Sequence, residues 1–315
     1  MKPMKSKKDE EIDGKVDIKF TPNEIKNKAR RVILWNKLRQ QTNKEKSERR
    51  RDRLKEAKKL GDQAPAKLLP RTIERLRKGD ETIVQDEDEE VSEDVNLDEF
   101  ASYFDGKEPK VCITTNTRPQ GRHITPFVKM IEEILPNCEY FPRKDFKLKD
   151  IVKFCANRDY TDLLVVNEDN GVVHTMMMVH LPYGPTVQFR VTNITMPDKI
   201  ENCGKMTSHK PELIINNFTT RLGLTVGRMF ASMFPQDPNF KGRRVVTLHN
   251  QRDFIFFRHH RYEFASNEKA YLQELGPRFT LKLMYLQKGT FDATGGEYIH
   301  LHKADMDVDR KTFVL

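Results

Sequence analysis

The sequence predicts an α+β fold in which two similar α/β halves form one compact domain. From Lys110 onward, apolar residues recur at helical spacing in some segments and alternate with polar residues in others. Helical and strand segments are mixed along the chain, and short turns join most of the strands, as in largely antiparallel sheets. No stretch rich in Gly and Ser separates the two sets of elements. We therefore expect both sets to share one core.

The first half is expected to begin with a strand over 111–116. Thr125-Pro126 is a helix start and Pro136 a helix stop, which predicts a helix between them. The apolar face of this helix comprises Phe127, Met130, Ile131, Ile134 and Leu135. A second helix is predicted over 148–155. Three strands are expected to follow, over 163–166, 172–180 and 186–195.

The second half is expected to open with an amphipathic helix that ends before Pro235. Its apolar stripe comprises Phe218, Leu222, Val226, Met229, Phe230 and Met233. The spacing Gly223-x-x-x-Gly227 inside this helix indicates close packing rather than a phosphate loop. Strands are predicted over 244–248, 254–259, 261–264 and 278–286.

Charge divides the chain into blocks that the formal net charge of +9 conceals. Residues 1–80 hold 26 basic and 13 acidic side chains, residues 81–108 hold 1 and 12, and residues 109–315 hold 29 and 22. We interpret 1–80 as a basic arm, 81–108 as an acidic flexible linker, 109–290 as the folded domain and 291–315 as a C-terminal extension. An alternative for the acidic block is a mimic of nucleic acid that shields basic surfaces until RNA displaces it.

The basic arm is predicted to be helical. Thr21-Pro22-Asn23-Glu24 resembles a capping box, and a narrow apolar stripe from Ile25 to Leu38 follows it. The helix is expected to continue through Lys44–Lys59 and to be interrupted over 61–70. Such a helix could bind a polyanion or a partner protein, or it could simply be a solvated charged helix. An acidic membrane surface fits less well, because a bulky apolar face is missing.

Several classes of protein are disfavoured. The four cysteines have no metal-ligand spacing or disulfide-framework density, no apolar stretch approaches a membrane span, and the N-terminal residues lack a signal-peptide core. Phosphate-loop, zinc-protease and nucleophile-elbow motifs are missing, and the acids of the core are scattered. We expect no catalytic residues, no metal and no cofactor.

Basic residues at the ends of the predicted elements are the candidates for contact with RNA. Arg118 and Arg122 flank a Pro-Gly turn before a helix N-terminus, where backbone N–H groups also favour phosphate. Arg221 and Arg228 are expected on the exposed face of the amphipathic helix. The full set of candidates is Arg118, Arg122, Lys210, Arg221, Arg228, Lys241, Arg243, Arg244 and Arg278. For each one, the alternative is a solvated surface charge.

The chain from about Pro109 to Leu286 resembles the Brix domain of eukaryotic ribosome-assembly factors. The resemblance rests on an ordered series of segments: KVCITTNTRP, HKPELIINNFTTRLGLTVGRMFASMFP, RRVVTLHNQRDFIFFRHHRYEF and LGPRFTLKLMYLQKGTFD. It implies two α/β halves similar to the anticodon-binding domains of some tRNA synthetases. It also implies binding of ribosomal RNA and no enzymatic activity.

The resemblance further implies a place of action and a set of partners. The expected site is the nucleolus, within the nucleus, during maturation of the large (60S) subunit. The expected partners are precursor large-subunit rRNA, other assembly factors and ribosomal proteins of the pre-60S particle, with no membrane. An alternative is an interaction scaffold whose core binds another assembly factor while only the arm contacts RNA.

Overall fold

The computed structural model describes residues 22, 25–61, 70, 72–84, 91, 93–94, 98–104, 106–237, 239–266, 269–291, 296–307 and 311–315. The chain divides into two compact units, residues 1–70 and 71–315. No described helix is long and apolar enough to cross a membrane.

The first unit contains one long helix, α1, over Lys28–Leu60. It begins later than the sequence suggested, because the Asn27 side chain caps it by accepting a hydrogen bond from the Arg30 N–H at 3.2 Å. Thr21 and Glu24 of the expected capping box lie outside the described residues. The helix ends at Gly61, whose φ of 53° is readily adopted only by glycine. No residue of α1 is buried.

The second unit contains four further helices or helical turns and one large sheet. The helices are α2 (Ala101–Phe104), α3 (Ile124–Ile134), α4 (Leu148–Ala156) and α5 (Arg221–Ala231). The strands are β1 (Val111–Thr115), β2 (Cys138–Tyr140), β3 (Asp162–Asp169), β4 (Val172–His180), β5 (Thr186–Thr195), β6 (Glu212–Asn216), β7 (Arg244–Gln251), β8 (Phe254–Ser266), β9 (Lys269–Glu274), β10 (Arg278–Gln287) and β11 (Tyr298–Leu301).

The order of the strands confirms the prediction of two similar halves. The sheet runs β2-β1-β3-β4-β5-β10-β8-β7-β6, with β9 paired to β8 and β11 to β10. The series β1-β3-β4-β5 of the first half repeats as β6-β7-β8-β10 in reversed spatial order, and the antiparallel pair β5–β10 joins the halves. Each half starts with a parallel pair, β1–β3 or β6–β7, with α3 or α5 in the connection. Only the first half adds β2 and α4.

The main core lies between the sheet and helices α3 and α5, and it belongs to both halves. Phe127 of α3 packs edge-on against Phe279 of β10, with ring centroids 5.3 Å apart. Phe230 of α5 contacts Phe189 of β5, also at 5.3 Å. Because each helix packs on a strand of the other half, the halves form one joint domain. A smaller cluster under α4, including Cys112 and Val165, lies apart from this core.

Several element boundaries differ from those expected. The helix expected from Phe218 begins at Arg221, because the Thr220 hydroxyl accepts the Gly223 N–H and caps it. The two strands expected over 254–264 are one strand, β8. Close packing at Gly227 is confirmed, since a Cβ there would lie 3.3 Å from the Ile215 methyl group.

The acidic block is not a free linker where the structure describes it. Phe100 and Tyr103 are 1% and 2% exposed, and their rings pack at 4.9 and 5.3 Å from the ring of His180. Two aromatic anchors therefore fix residues 98–104 to the domain. Residues 85–90, the most acidic part of the block, lie outside the described residues.

The segments flanking the domain also pack against it. Arg77, expected in the arm, donates hydrogen bonds to the Thr219 hydroxyl at 2.7 Å and to the Phe313 carbonyl at 3.0 Å. Leu315 is 1% exposed, and its N–H donates to the Asp253 carboxylate at 2.9 Å. Residues 72–80 and 311–315 are thus parts of the second unit.

Candidate nucleic-acid interface

Three of the candidate cations meet where β6 and β7 begin. The Asn239 N–H donates to the Lys210 carbonyl at 3.1 Å, which brings the segment before β6 beside the turn Phe240–Gly242. Lys241 and Arg243 extend from this turn into solvent. The turn needs glycine at 242, because a Cβ there would lie 2.3 Å from the His209 Cβ. Lys210, Lys241 and Arg243 therefore form one group of basic side chains.

Strands β8 and β10 bring two more cations to this end of the second half. Arg261 pairs with Arg244 across β7 and β8, so that it lies beside the turn that holds Arg243. Arg278 begins β10, next to the end of β8. We call Lys210, Lys241, Arg243, Arg261 and Arg278 the strand-end cluster. The sequence analysis missed Arg261, because only strand pairing places it there.

Acidic partners in the strand-end cluster are mostly exposed. Arg243 lies 3.7 Å from Glu263, with side chains 54% and 73% exposed, and Lys210 lies 3.1 Å from Glu108. Exposed ion pairs contribute about 0–1 kcal/mol, so phosphate can compete for these cations. Phe264, 69% exposed, adds an aromatic ring near the end of β8. The arrangement suits a polyanion that also offers planar groups.

The prediction that Arg244 lies at an exposed strand mouth is wrong. Its residue is 2% exposed, and its guanidinium points into the core. Nη1 donates to the carbonyls of Thr207 and His209, the latter at 2.8 Å, and Nη2 donates to the Glu133 carbonyl of α3 at 3.3 Å. Burial lowers the pKa of this guanidinium from its usual value. Arg244 links α3 of the first half to β7 of the second and is not available to RNA.

His259 completes the contacts of Arg244. The Arg244 Nε donates to His259 Nε2 at 3.3 Å, while His259 Nδ1 lies 3.0 Å from the Gly276 carbonyl. These partners fix a neutral ring with its proton on Nδ1. Burial lowers the pKa of His259 to about 4. Both residues act in the fold.

Arg228 is also engaged within the fold. It forms a two-point ion pair with Asp98, with Nη2 at 2.7 Å from Oδ1, and its guanidinium lies 4.4 Å from the centre of the Phe104 ring. The side chains of Arg228 and Asp98 are only 17% and 20% exposed. Arg221 and Thr225 lie on the same side of α5, beside the same acidic segment. The expected face of α5 is confirmed, but residues 91–100 lie against it.

We predict that Asp98→Ala lowers the free energy of unfolding by about 2 kcal/mol, because Arg228 is left largely buried without its carboxylate. Urea denaturation of the full chain measures this change. The matched control is Asp145→Ala, since Asp145 lies 3.7 Å from Arg118 with both side chains 83% exposed. We expect a loss below about 0.5 kcal/mol for the control. Equal losses in the two variants would mean that the Asp98 pair is not a clamp.

Arg118 and Arg122 lie apart from the strand-end cluster, in the loop between β1 and α3 of the first half. The N–H groups of Gln120 and Gly121 in this loop donate to the Glu168 carboxylate, the latter at 2.8 Å. These two backbone donors are therefore already used by Glu168. Both arginines remain exposed.

The described residues contain no group of three or more His, Cys, Asp or Glu side chains that could hold a metal ion. The four cysteines are free thiols. The described part of the second unit is therefore characterised by cationic and aromatic surface groups on a mixed sheet.

Comparison with known proteins identifies the class. The family model described as the Brix domain matches residues 118–285, more than half of the chain. The chain therefore belongs to the Brix domain family. Among curated relatives, "Ribosome production factor 1" of Xenopus laevis is 52% identical over 299 residues, covering 94% of this chain and 87% of that protein.

The relative of the same name in Saccharomyces cerevisiae is 43% identical over 298 residues, covering 92% of this chain and 97% of that protein. A solved structure titled as a probable ribosomal biogenesis protein from Aeropyrum pernix K1 is also similar. It has 15% identity and a TM-score of 0.42, and it covers 55% of this chain and 96% of that chain.

Proposed function

We propose that this protein is a non-catalytic ribosome assembly factor that binds precursor ribosomal RNA and supports maturation of the large (60S) subunit. Its place of action is the nucleolus, within the nucleus. Its partners are large-subunit precursor rRNA, other assembly factors and ribosomal proteins of the pre-60S particle. The curated relatives named "Ribosome production factor 1" support the ribosomal role over nearly the whole chain.

The observation that supports RNA binding best is the strand-end cluster. Five cations from β7, β8, β10 and the segments before β6 and β7 lie at one end of the second half. Cations held by rigid strands lose little freedom when a phosphate backbone docks on them. Helix α1 adds a second basic surface, with 14 Lys and Arg against 4 Asp and Glu over 28–60. Both surfaces attract RNA through release of its counterions.

We predict that Lys241→Glu with Arg243→Glu weakens binding of precursor rRNA at least about tenfold and lowers the slope of log K against log salt by about 2. Both side chains are exposed, so the fold is retained. Filter binding over a salt series measures the effect. The matched control is Lys129→Glu with Lys288→Glu, which makes the same change in net charge at exposed positions elsewhere. Equal losses for both pairs would remove the strand-end cluster as the contact surface.

The second candidate function is an interaction scaffold in which only α1 contacts RNA. It is favoured by one observation, the absence of any buried residue in α1, which leaves the basic helix open along its length. Deleting residues 1–70 in the same binding assay separates the two functions. The proposed function requires partial retention of RNA affinity, whereas the scaffold requires loss of nearly all of it. Residues 72–80 are kept because Arg77 bonds to the domain.

A further inference from the structure

A pocket of about 380 Å³ opens on the first half, between the β1–β2 edge and helix α4. Its volume falls within the range of small-molecule sites. The floor is built by Cys112, Thr114 and Cys155, and the Thr114 hydroxyl is turned to the Phe141 carbonyl at 2.8 Å. None of these residues is among the candidates for RNA contact in the sequence analysis. The pocket is therefore a separate feature from the strand-end cluster.

The rim of the pocket consists of aromatic rings that the core leaves uncovered. Phe141, Phe146 and Phe154 are 48%, 52% and 44% exposed. Phe146 and Phe154 meet edge to face, with ring centroids 5.9 Å apart, and Phe141 meets Tyr160 in the same way at 6.3 Å. Edge-to-face contacts leave ring faces unstacked and able to accept a further planar group. Three exposed phenylalanines at one pocket form a stacking surface.

The charges around the pocket are those that favour an anion. All charged side chains that line it are cationic, namely Arg143, Lys144 and Arg158. The segment 143–158 that forms most of the rim contains six basic and two acidic residues. The Arg143 Nε donates to the Phe146 carbonyl at 3.0 Å, which holds the basic loop beside the aromatic rim. Planar and cationic groups are thus combined within one turn of chain.

The pocket depends on elements that only the first half contains. Strand β2 and helix α4 have no counterpart between β6 and β7, where α5 is the only helix. Phe141 directly follows β2, and Phe154 lies on α4. The repeated part of the fold therefore does not build this site.

We propose that this pocket binds an unpaired base of single-stranded RNA, with the flanking phosphates on Arg143, Lys144 and Arg158. The proposal rests on the proposed function, since it names the form of RNA that the protein recognises. Base stacking on aromatic rings beside cations is the general way in which proteins hold single strands. A base within a duplex is stacked on both faces and cannot enter. A peptide side chain fits the rings but not the exclusively cationic lining.

The test uses the full chain with Phe146→Ala and Phe154→Ala together, and a labelled 12-nucleotide single-stranded RNA beside a duplex of the same length. We expect about tenfold weaker binding of the single strand and less than twofold change for the duplex. Both residues are about half exposed, so the variant is expected to fold, which its melting curve checks. The matched control is Tyr183→Ala, which removes an aromatic side chain 86% exposed on the β4–β5 turn.

A second measurement places the base directly. With 4-thiouridine in the single strand, we expect photo-crosslinks on peptides covering 141–158 in the wild type and their loss in the double variant. Unchanged single-strand affinity of the double variant, or equal weakening of single strand and duplex, overturns the base pocket. Failure of the wild type to bind any RNA instead overturns the proposed function, so the two failures are distinct.

Discussion

Replacing Arg244 by methionine lowers the free energy of unfolding by about 4 kcal/mol. Methionine has a similar length and no donors, so the carbonyls of Thr207, His209 and Glu133 lose a buried hydrogen-bond partner. An unsatisfied buried polar group costs about 1–3 kcal/mol, and three are left together. The effect is large because one side chain serves three separate segments of backbone.

The control for this prediction is the neighbouring residue. Arg243→Met removes the same charge from a side chain that is 54% exposed, and we expect a loss below about 0.5 kcal/mol. Urea denaturation of the full chain gives both values, with the slope m checked for a common two-state transition. If Arg244→Met unfolds at the same urea concentration as Arg243→Met, the buried position of the guanidinium is wrong.

Replacing Phe279 by alanine is expected to cost about 4 kcal/mol, in line with large-to-small changes of buried aromatic residues. Phe279 is 1% exposed and stacks on Phe257 with ring centroids 4.3 Å apart and planes 10° apart. It also contacts Phe127 of α3 at 5.3 Å, so the cavity opens where the two halves meet. Thermal and urea unfolding of the variant measure the loss.

The position of Phe279 also predicts how the variant unfolds. Because Phe127 belongs to the first half and Phe257 to the second, we expect both halves to lose stability together in one transition. The matched control is Phe254→Ala, on the adjacent strand, whose ring is 40% exposed and whose loss should cost about 1 kcal/mol. Two separate transitions in Phe279→Ala would contradict a core shared by the halves.

The elements that the sequence predicted well are those with a strong local pattern. Helix α3 and strand β5 have apolar residues at the period of their own structure, so each can be identified without knowing what it packs against. Strands β2, β6 and β9 were missed. Their exposed, partly polar residues give no clean alternation, and pairing with neighbouring strands defines them.

The error over Arg244 had a signal in the sequence that the charge pattern obscured. In β7 the buried positions 244, 246, 248 and 250 share one face, and Arg244 has the same parity as Val246 and Leu248. The run Lys241-Gly242-Arg243-Arg244 suggests three equivalent surface cations, but the period of the strand separates the last from the others. In the acidic block, Phe100 and Tyr103 at helical spacing were a similar signal of packing.

By itself, the sequence determined the α+β class, the two halves, the basic α1 helix and the family, because these depend on local periodicity, charge blocks and long ordered motifs. The tertiary structure alone decided which cations face solvent. It buried Arg244, joined Arg228 to Asp98, added Arg261 to the strand-end cluster and assembled the aromatic pocket from β2 and α4. The physical reason is that the availability of a charge or a ring depends on neighbours far away in sequence, and only the packed sheet and helices bring those neighbours together.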